Sequence, residues 1–110
     1  MADHVDRDLD VRALINSTLT EAQYQAQIVK AAKAHGWMVY HTYDSRRSTA
    51  GFPDLVLVRP PRLLFAEIKL EKEPVTPSQY EWLTGLKECG EVYAIVVRPS
   101  GWDMIVEMLR

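Results

Sequence analysis

Apolar and polar positions follow two periods along the chain. From Thr20 to His35, positions 21, 24, 25, 28, 29 and 32 share one face of a 3.6-residue helix. They carry Glu21, Tyr24, Gln25, Ile28, Val29 and Ala32. Thr20 and Gln23 form a capping-box pair at its start, with Thr18 and Glu21 as a second option, and Gly36 stops it. Three extended segments follow. Trp37–Tyr43 is aromatic and β-branched. Asp54–Arg59 is a continuous apolar run of the kind buried on both faces. Leu63–Leu70 follows a Pro60-Pro61 turn. A second helix is predicted from Thr76 to Cys89, with Thr76 as N-cap, Pro77 in the first turn, Gln79 completing a capping box and Gly90 as the stop. Its buried face would be Gln79, Trp82, Leu83 and Leu86. Val92–Arg98 reads as another buried strand, and Pro99–Gly101 turns into a last short helix, Trp102–Leu109. The order α-β-β-β-α-β-α predicts an α/β (α+β) domain, a mixed sheet with helices on both faces.

Length adds one constraint: 110 residues are enough for one domain and one core. Residues 1–19 form a polar, acidic segment, read as a flexible tail or an interface element, and residues 20–110 hold the domain. No apolar run is long enough to span a bilayer, and the charged stretch Met1–Asp10 lacks the apolar region of a secretory signal. The single cysteine, Cys89, excludes an internal disulfide, and with three histidines it excludes a Cys/His zinc cage. A cytoplasmic protein is the expectation. The net charge of −2 is unevenly spread: residues 1–21 carry −3, residues 22–72 carry +4 and residues 73–110 carry −3. A basic middle between acidic ends fits a polyanion-binding face or an ordinary solvated surface.

Two acids stand out by position. Asp54 opens an otherwise apolar strand, and Glu67 interrupts another. With a side-chain period of two, Phe65, Glu67 and Lys69 share one face of that strand, while Leu64, Ala66, Ile68 and Leu70 share the other and would pack on a helix. If the two strands pair as a hairpin, Asp54 comes near Glu67 and Lys69. Two carboxylates and a lysine in one partly buried place are costly unless compensated. A divalent cation would compensate, and oxygen ligands favour Mg²⁺ or Mn²⁺. A cross-strand ion pair on a solvated face is the other reading.

Gly51-Phe52-Pro53-Asp54-Leu55, then Glu67-Ile68-Lys69, then Gln79-x-x-Trp82-Leu83-x-x-Leu86 and Gly90, together resemble the PD-(D/E)xK nuclease superfamily. More narrowly, the chain from Thr20 to Arg110 resembles its VRR-NUC branch, found in phages and bacteria as small stand-alone proteins. The resemblance implies a restriction-endonuclease-like core of α-β-β-β-α-β order, in agreement with the order read from periodicity. It implies a catalytic set of Glu21, Asp54, Glu67, Lys69 and Gln79, with metal ligands Glu21, Asp54, Glu67 and the carbonyl of Ile68. The implied activity is a Mg²⁺- or Mn²⁺-dependent DNA endonuclease that hydrolyses phosphodiester bonds. The ion would polarise the phosphate, and Lys69 would orient the attacking water or stabilise the developing charge.

Stand-alone relatives resemble Holliday-junction resolvases. That likeness implies structure-selective cutting of branched or duplex DNA by a homodimer, in the cytoplasm of a bacterial or phage-infected cell. Residues 1–19 and the last helix are the expected interface elements. Two other readings are a non-catalytic DNA-binding or assembly subunit that retains the fold, and a nicking or restriction-type nuclease. The loop before Asp54 offers Ser45, Arg46, Arg47 and Ser48 as phosphate contacts, with Lys72 adding to them. His41 is either a structural strand histidine or a wall of the same site. Trp37, Trp82 and Trp102 read as core or interface aromatics, and Cys89 as a small buried hydrophobe.

Overall fold

The computed structural model describes residues 18–43 and 48–110. Most of the acidic N-terminal segment, and the expected phosphate contacts Ser45, Arg46 and Arg47, lie outside the described residues. Helix α1, Glu21–Ala34, begins with a complete capping box: the Gln23 amide N–H donates to Thr20 Oγ1 at 3.1 Å, and the Thr20 N–H donates to Gln23 Oε1 at 2.9 Å. Then come β1 (Met38–His41), β2 (Leu55–Arg59), β3 (Arg62–Ile68), α2 (Pro77–Lys87), β4 (Tyr93–Val97), a 3₁₀ turn at Pro99–Gly101, and α3 (Trp102–Leu109). The predicted order holds; strand ends are trimmed by one or two residues, except that β3 starts one residue earlier than expected, at Arg62.

The sheet order is β1-β2-β3-β4. The first three strands are antiparallel neighbours, and β4 lies parallel to β3. Parallel neighbours need a crossover, which α2 provides. Register assigns the faces. Leu55, Leu57, Leu64, Ala66, Ile68 and Val97 point to one side and join Tyr24, Ile28 and Ala32 of α1 and Ile105 and Leu109 of α3 in one buried core. Trp37 closes the far end of that core. Its indole N–H donates to the Leu109 carbonyl at 2.9 Å, and the guanidinium groups of Arg59 and Arg62 lie 5.0 and 4.7 Å from its ring centre.

Helix α2 covers the other face over β4, where Leu83 and Ala94 are buried. Phe52 bridges from the loop before β2, meeting Phe65 and Trp82 edge-on with ring centres 6.0 and 5.2 Å away. Among the described residues the cover stops there. Residues 54–59 are therefore not buried on both faces as expected: Leu55 and Leu57 are buried, but Val56 and Val58 are only half-buried, and Met38 and Tyr40 beside them are exposed. The strand 92–98 is likewise only partly buried, because β4 ends the sheet. Cys89 is exposed rather than buried, since α2 ends at Lys87 and the chain turns outward before it.

Candidate active site

The hairpin places the charged residues. Leu55 pairs with Ala66, so continuing the register by one residue sets Asp54 opposite Glu67. Asp54 is not in the strand but in the bend just before it, where its side chain turns onto β3 and its Oδ2 accepts a hydrogen bond from the Ile68 N–H at 2.8 Å. Thr42 holds the same segment from the other side. Its N–H donates to the Asp54 carbonyl at 2.9 Å, and its hydroxyl donates to the Pro53 carbonyl at 3.0 Å.

Glycine is required one turn earlier. Gly51 has φ +88°, and a Cβ there would lie 2.4 Å from the Ser78 carbonyl carbon. Only a bare backbone lets this loop lie against the first turn of α2. That contact brings Gln79 into the site. The Gln79 Oε1 accepts from the Thr76 N–H at 2.9 Å, completing the second predicted capping box, while its side chain also lines the cavity in front of Asp54. It serves as both cap and wall.

Glu67 and Lys69 are the buried charged residues of the described chain, 3% and 7% exposed. The two carboxyls of Glu67 and Asp54 share a hydrogen bond. Burial, that hydrogen bond and the Asp54 charge push the Glu67 carboxyl up to about 9, against the opposing pull of Lys69. A second carboxyl pair lies alongside. Glu21, in the first turn of α1, hydrogen-bonds Glu73, and its carboxyl is raised by burial, by Glu73 and by Asp54. Glu73 is anchored in turn: its Oε1 accepts from the Leu70 N–H at 2.9 Å. Arg98, at the end of β4, donates to the carbonyls of Leu70, Glu71 and Glu73 at 2.6, 3.1 and 2.8 Å and so holds the whole turn.

Glu21, Asp54 and Glu67 form the acidic side of a cavity of about 530 Å³ at one end of the sheet, with Gln25, His41 and Gln79 among its neutral lining residues; Lys69, Glu73 and Arg98 lie outside its lining. Ser48 also lines it, whereas Lys72 is exposed and does not. Glu73 and Arg98 were not anticipated. Neither carries a periodicity signal, because both act through a turn whose shape is set by main-chain hydrogen bonds.

The donor set suits a hard divalent cation. Asp54 and Glu67 are oxygen donors packed so closely that ionising both is costly, as the raised Glu67 carboxyl shows, and an added cation relieves that cost. Among the described residues no three His, Cys, Asp or Glu side chains form a ready-made cage. The set therefore fits an ion that keeps several waters, as Mg²⁺ does, rather than one fully enclosed by protein.

The comparisons with known proteins agree with this architecture. The profile of the VRR-NUC domain matches residues 4–99. A solved VRR_NUC domain is 23% identical, covering 74% of this chain and 92% of its own, with a TM-score of 0.57. A VRR_NUC domain protein is 24% identical, covering 83% and 85%, with a TM-score of 0.64. The Archaeoglobus fulgidus Hjc, a Holliday junction resolvase from an archaeal hyperthermophile, is 21% identical over 70% of this chain and 67% of its own, with a TM-score of 0.51. No curated protein sequence matches significantly. The fold is restriction-endonuclease-like. The chain belongs to the VRR-NUC domain family, within the PD-(D/E)xK nuclease superfamily.

Proposed function

We propose that the protein is a divalent-metal-dependent DNA endonuclease that cuts branched or duplex DNA with selectivity for structure rather than sequence. The observation that carries this reading is the meeting of half-buried Asp54 with buried Glu67 in the wall of one cavity, with the buried Lys69 close enough to act on Glu67. Asp54, Glu67 and the Ile68 carbonyl would hold a Mg²⁺ or Mn²⁺ ion. In an extended strand a residue's N–H and C=O point to the same side, so the Ile68 carbonyl faces the side from which Asp54 receives its N–H. When bound, the ion supplies Lewis-acid stabilisation of the phosphate and lowers the pKa of water.

The chain's own groups do the rest. Lys69, desolvated beside Glu67, stabilises charge that develops on the phosphate and orients the attacking water. Glu21 positions a water or shares a second ion, and Glu73 fixes its carboxyl. Gln79 offers its amide to the substrate from the α2 terminus. Ser48, with Ser45, Arg46 and Arg47 of the loop before Asp54 and the exposed Lys72, contacts flanking phosphates.

A four-way junction is two-fold symmetric, so the junction form of this reading includes a homodimer. Among the described residues no helix is long and apolar enough to cross a membrane. The test is incubation with Mg²⁺ or Mn²⁺ and a panel of duplex, flap, single-stranded and four-way DNA. Metal-dependent internal cleavage, strongest on a branched form, is expected. Intact DNA across the whole panel would reject the endonuclease reading in favour of a binding subunit that keeps the fold.

A further inference from the structure

The acidic wall of the cavity accounts for ion binding and hydrolysis but not for how a polyanion is held there. The neutral lining beside it has a feature that the hydrolytic set does not use. His41, the last residue of β1, receives a side-chain hydrogen bond across the cavity rim from Gln25 of α1, with 2.7 Å between Gln25 Nε2 and His41 Nε2. With Gln25 donating, the imidazole proton sits on Nδ1, so the ring remains a donor. Tyr43 packs against the ring at a tilt, with centres 4.8 Å apart. Gln25 of α1 and Tyr43 of the loop after β1 thus fix one imidazole in the lining of the site.

Its position is coupled to the aspartate through the main chain. His41 pairs with Leu55, the residue after Asp54, and the next residue, Thr42, donates to the Asp54 carbonyl. The main chain therefore fixes His41 and Asp54 relative to one another, and both line the same cavity. An imidazole used only for packing would lie within the core. This one is half-buried, outside the core, and lines the open space with Gln25.

We propose that His41, oriented by Gln25, is a DNA-backbone contact: its ring N–H donates to a phosphodiester oxygen next to the one being cut and sets the strand's position over Asp54 and Glu67. Gln25 is the positioning residue. The inference rests on the nuclease reading for the identity of the ligand, but it can be read by binding alone.

The experiment measures DNA affinity by fluorescence anisotropy in EDTA, and kcat and KM in Mg²⁺, for the full chain and for His41→Ala, His41→Gln and Gln25→Ala. Removing one such contact is expected to weaken metal-free binding and raise KM about tenfold, with kcat within about threefold of the unsubstituted protein. His41→Gln keeps an N–H donor and is expected to recover most of the loss, which a purely structural role would not produce. Gln25→Ala is expected to give a smaller loss of the same kind.

Unchanged affinity and KM in His41→Ala would overturn the proposal, as would His41→Gln failing to recover any affinity while remaining folded by circular dichroism. A protein that binds DNA through His41 and cuts none would sustain this contact while rejecting the endonuclease reading, so the two failures are distinct.

Discussion

The carboxylate of Asp54 accepts the backbone N–H of Ile68 at 2.8 Å, so one residue of the first motif is fastened to the middle residue of the second. This single bond converts two motifs 14 positions apart in the chain into one site. It also explains why the aspartate belongs at a bend: a residue inside β2 would have its neighbours committed to the ladder, whereas the bend frees the side chain to cross to β3.

Ion binding is the first consequence. Calorimetric titration with Mn²⁺ is expected to show binding to the unsubstituted protein and at least about tenfold weaker binding to Glu67→Ala, as loss of one of two carboxylate ligands implies. Equal binding by both proteins would place the ion elsewhere.

Stability without metal should fall as pH rises. The Glu67 carboxyl goes from an ordinary value of 4.5 to about 9 in the fold, chiefly through burial. The folded state therefore holds this proton more tightly than the unfolded chain. The contribution is fully present below about 4.5 and is lost as pH climbs through about 9. The raised Glu21 carboxyl acts in the same sense. Thermal melts in EDTA should show Tm declining between about pH 5 and pH 9, and Glu67→Gln should flatten much of that slope. A Tm that rises across this window would contradict the assigned burial.

Gly51 should tolerate no side chain. Gly51→Ala must adopt a strained φ of +88° and displace the backbone of Ser78 and Gln79. A loss of at least about 2 kcal/mol is expected by urea denaturation. Cleavage should fall with it, because the displaced segment carries Gln79 and the approach to Asp54.

Arg98 tests the anchoring of the turn. Arg98→Met removes a guanidinium that holds three carbonyls, leaving those of Leu70 and Glu73 to find other partners. A stability loss of about 2 kcal/mol is expected, together with a reduced contribution from Glu21, read as lower activity in Arg98→Met that Glu21→Ala does not lower further.

Much of this was legible in the sequence, for identifiable reasons. Both capping boxes, the element order, and the shared face of Phe65 and Glu67 follow from local rules of side-chain period and capping. The meeting of Asp54 with Glu67 needed only one hairpin pairing. What was not legible depends on tertiary extent. The half-burial of Val56 and Val58 comes from α2 stopping over β4, which no periodicity in β2 records. The exposure of Cys89 reflects the helix ending two residues early. Glu73 and Arg98 meet through turn carbonyls, whose directions have no sequence signature.

The parts played by Asp54, Lys69 and the metal in hydrolysis can be read by comparing three proteins in one cleavage assay. The unsubstituted protein, Asp54→Ala and Lys69→Ala are incubated with labelled four-way and duplex DNA in Mg²⁺, with an EDTA control. Cutting by the unsubstituted protein in Mg²⁺ but not in EDTA is expected, with each variant slower by at least about a hundredfold at unchanged fold. Cutting by either variant at the full rate, or cutting in EDTA, would contradict a hydrolytic centre built on Asp54, Glu67 and Lys69.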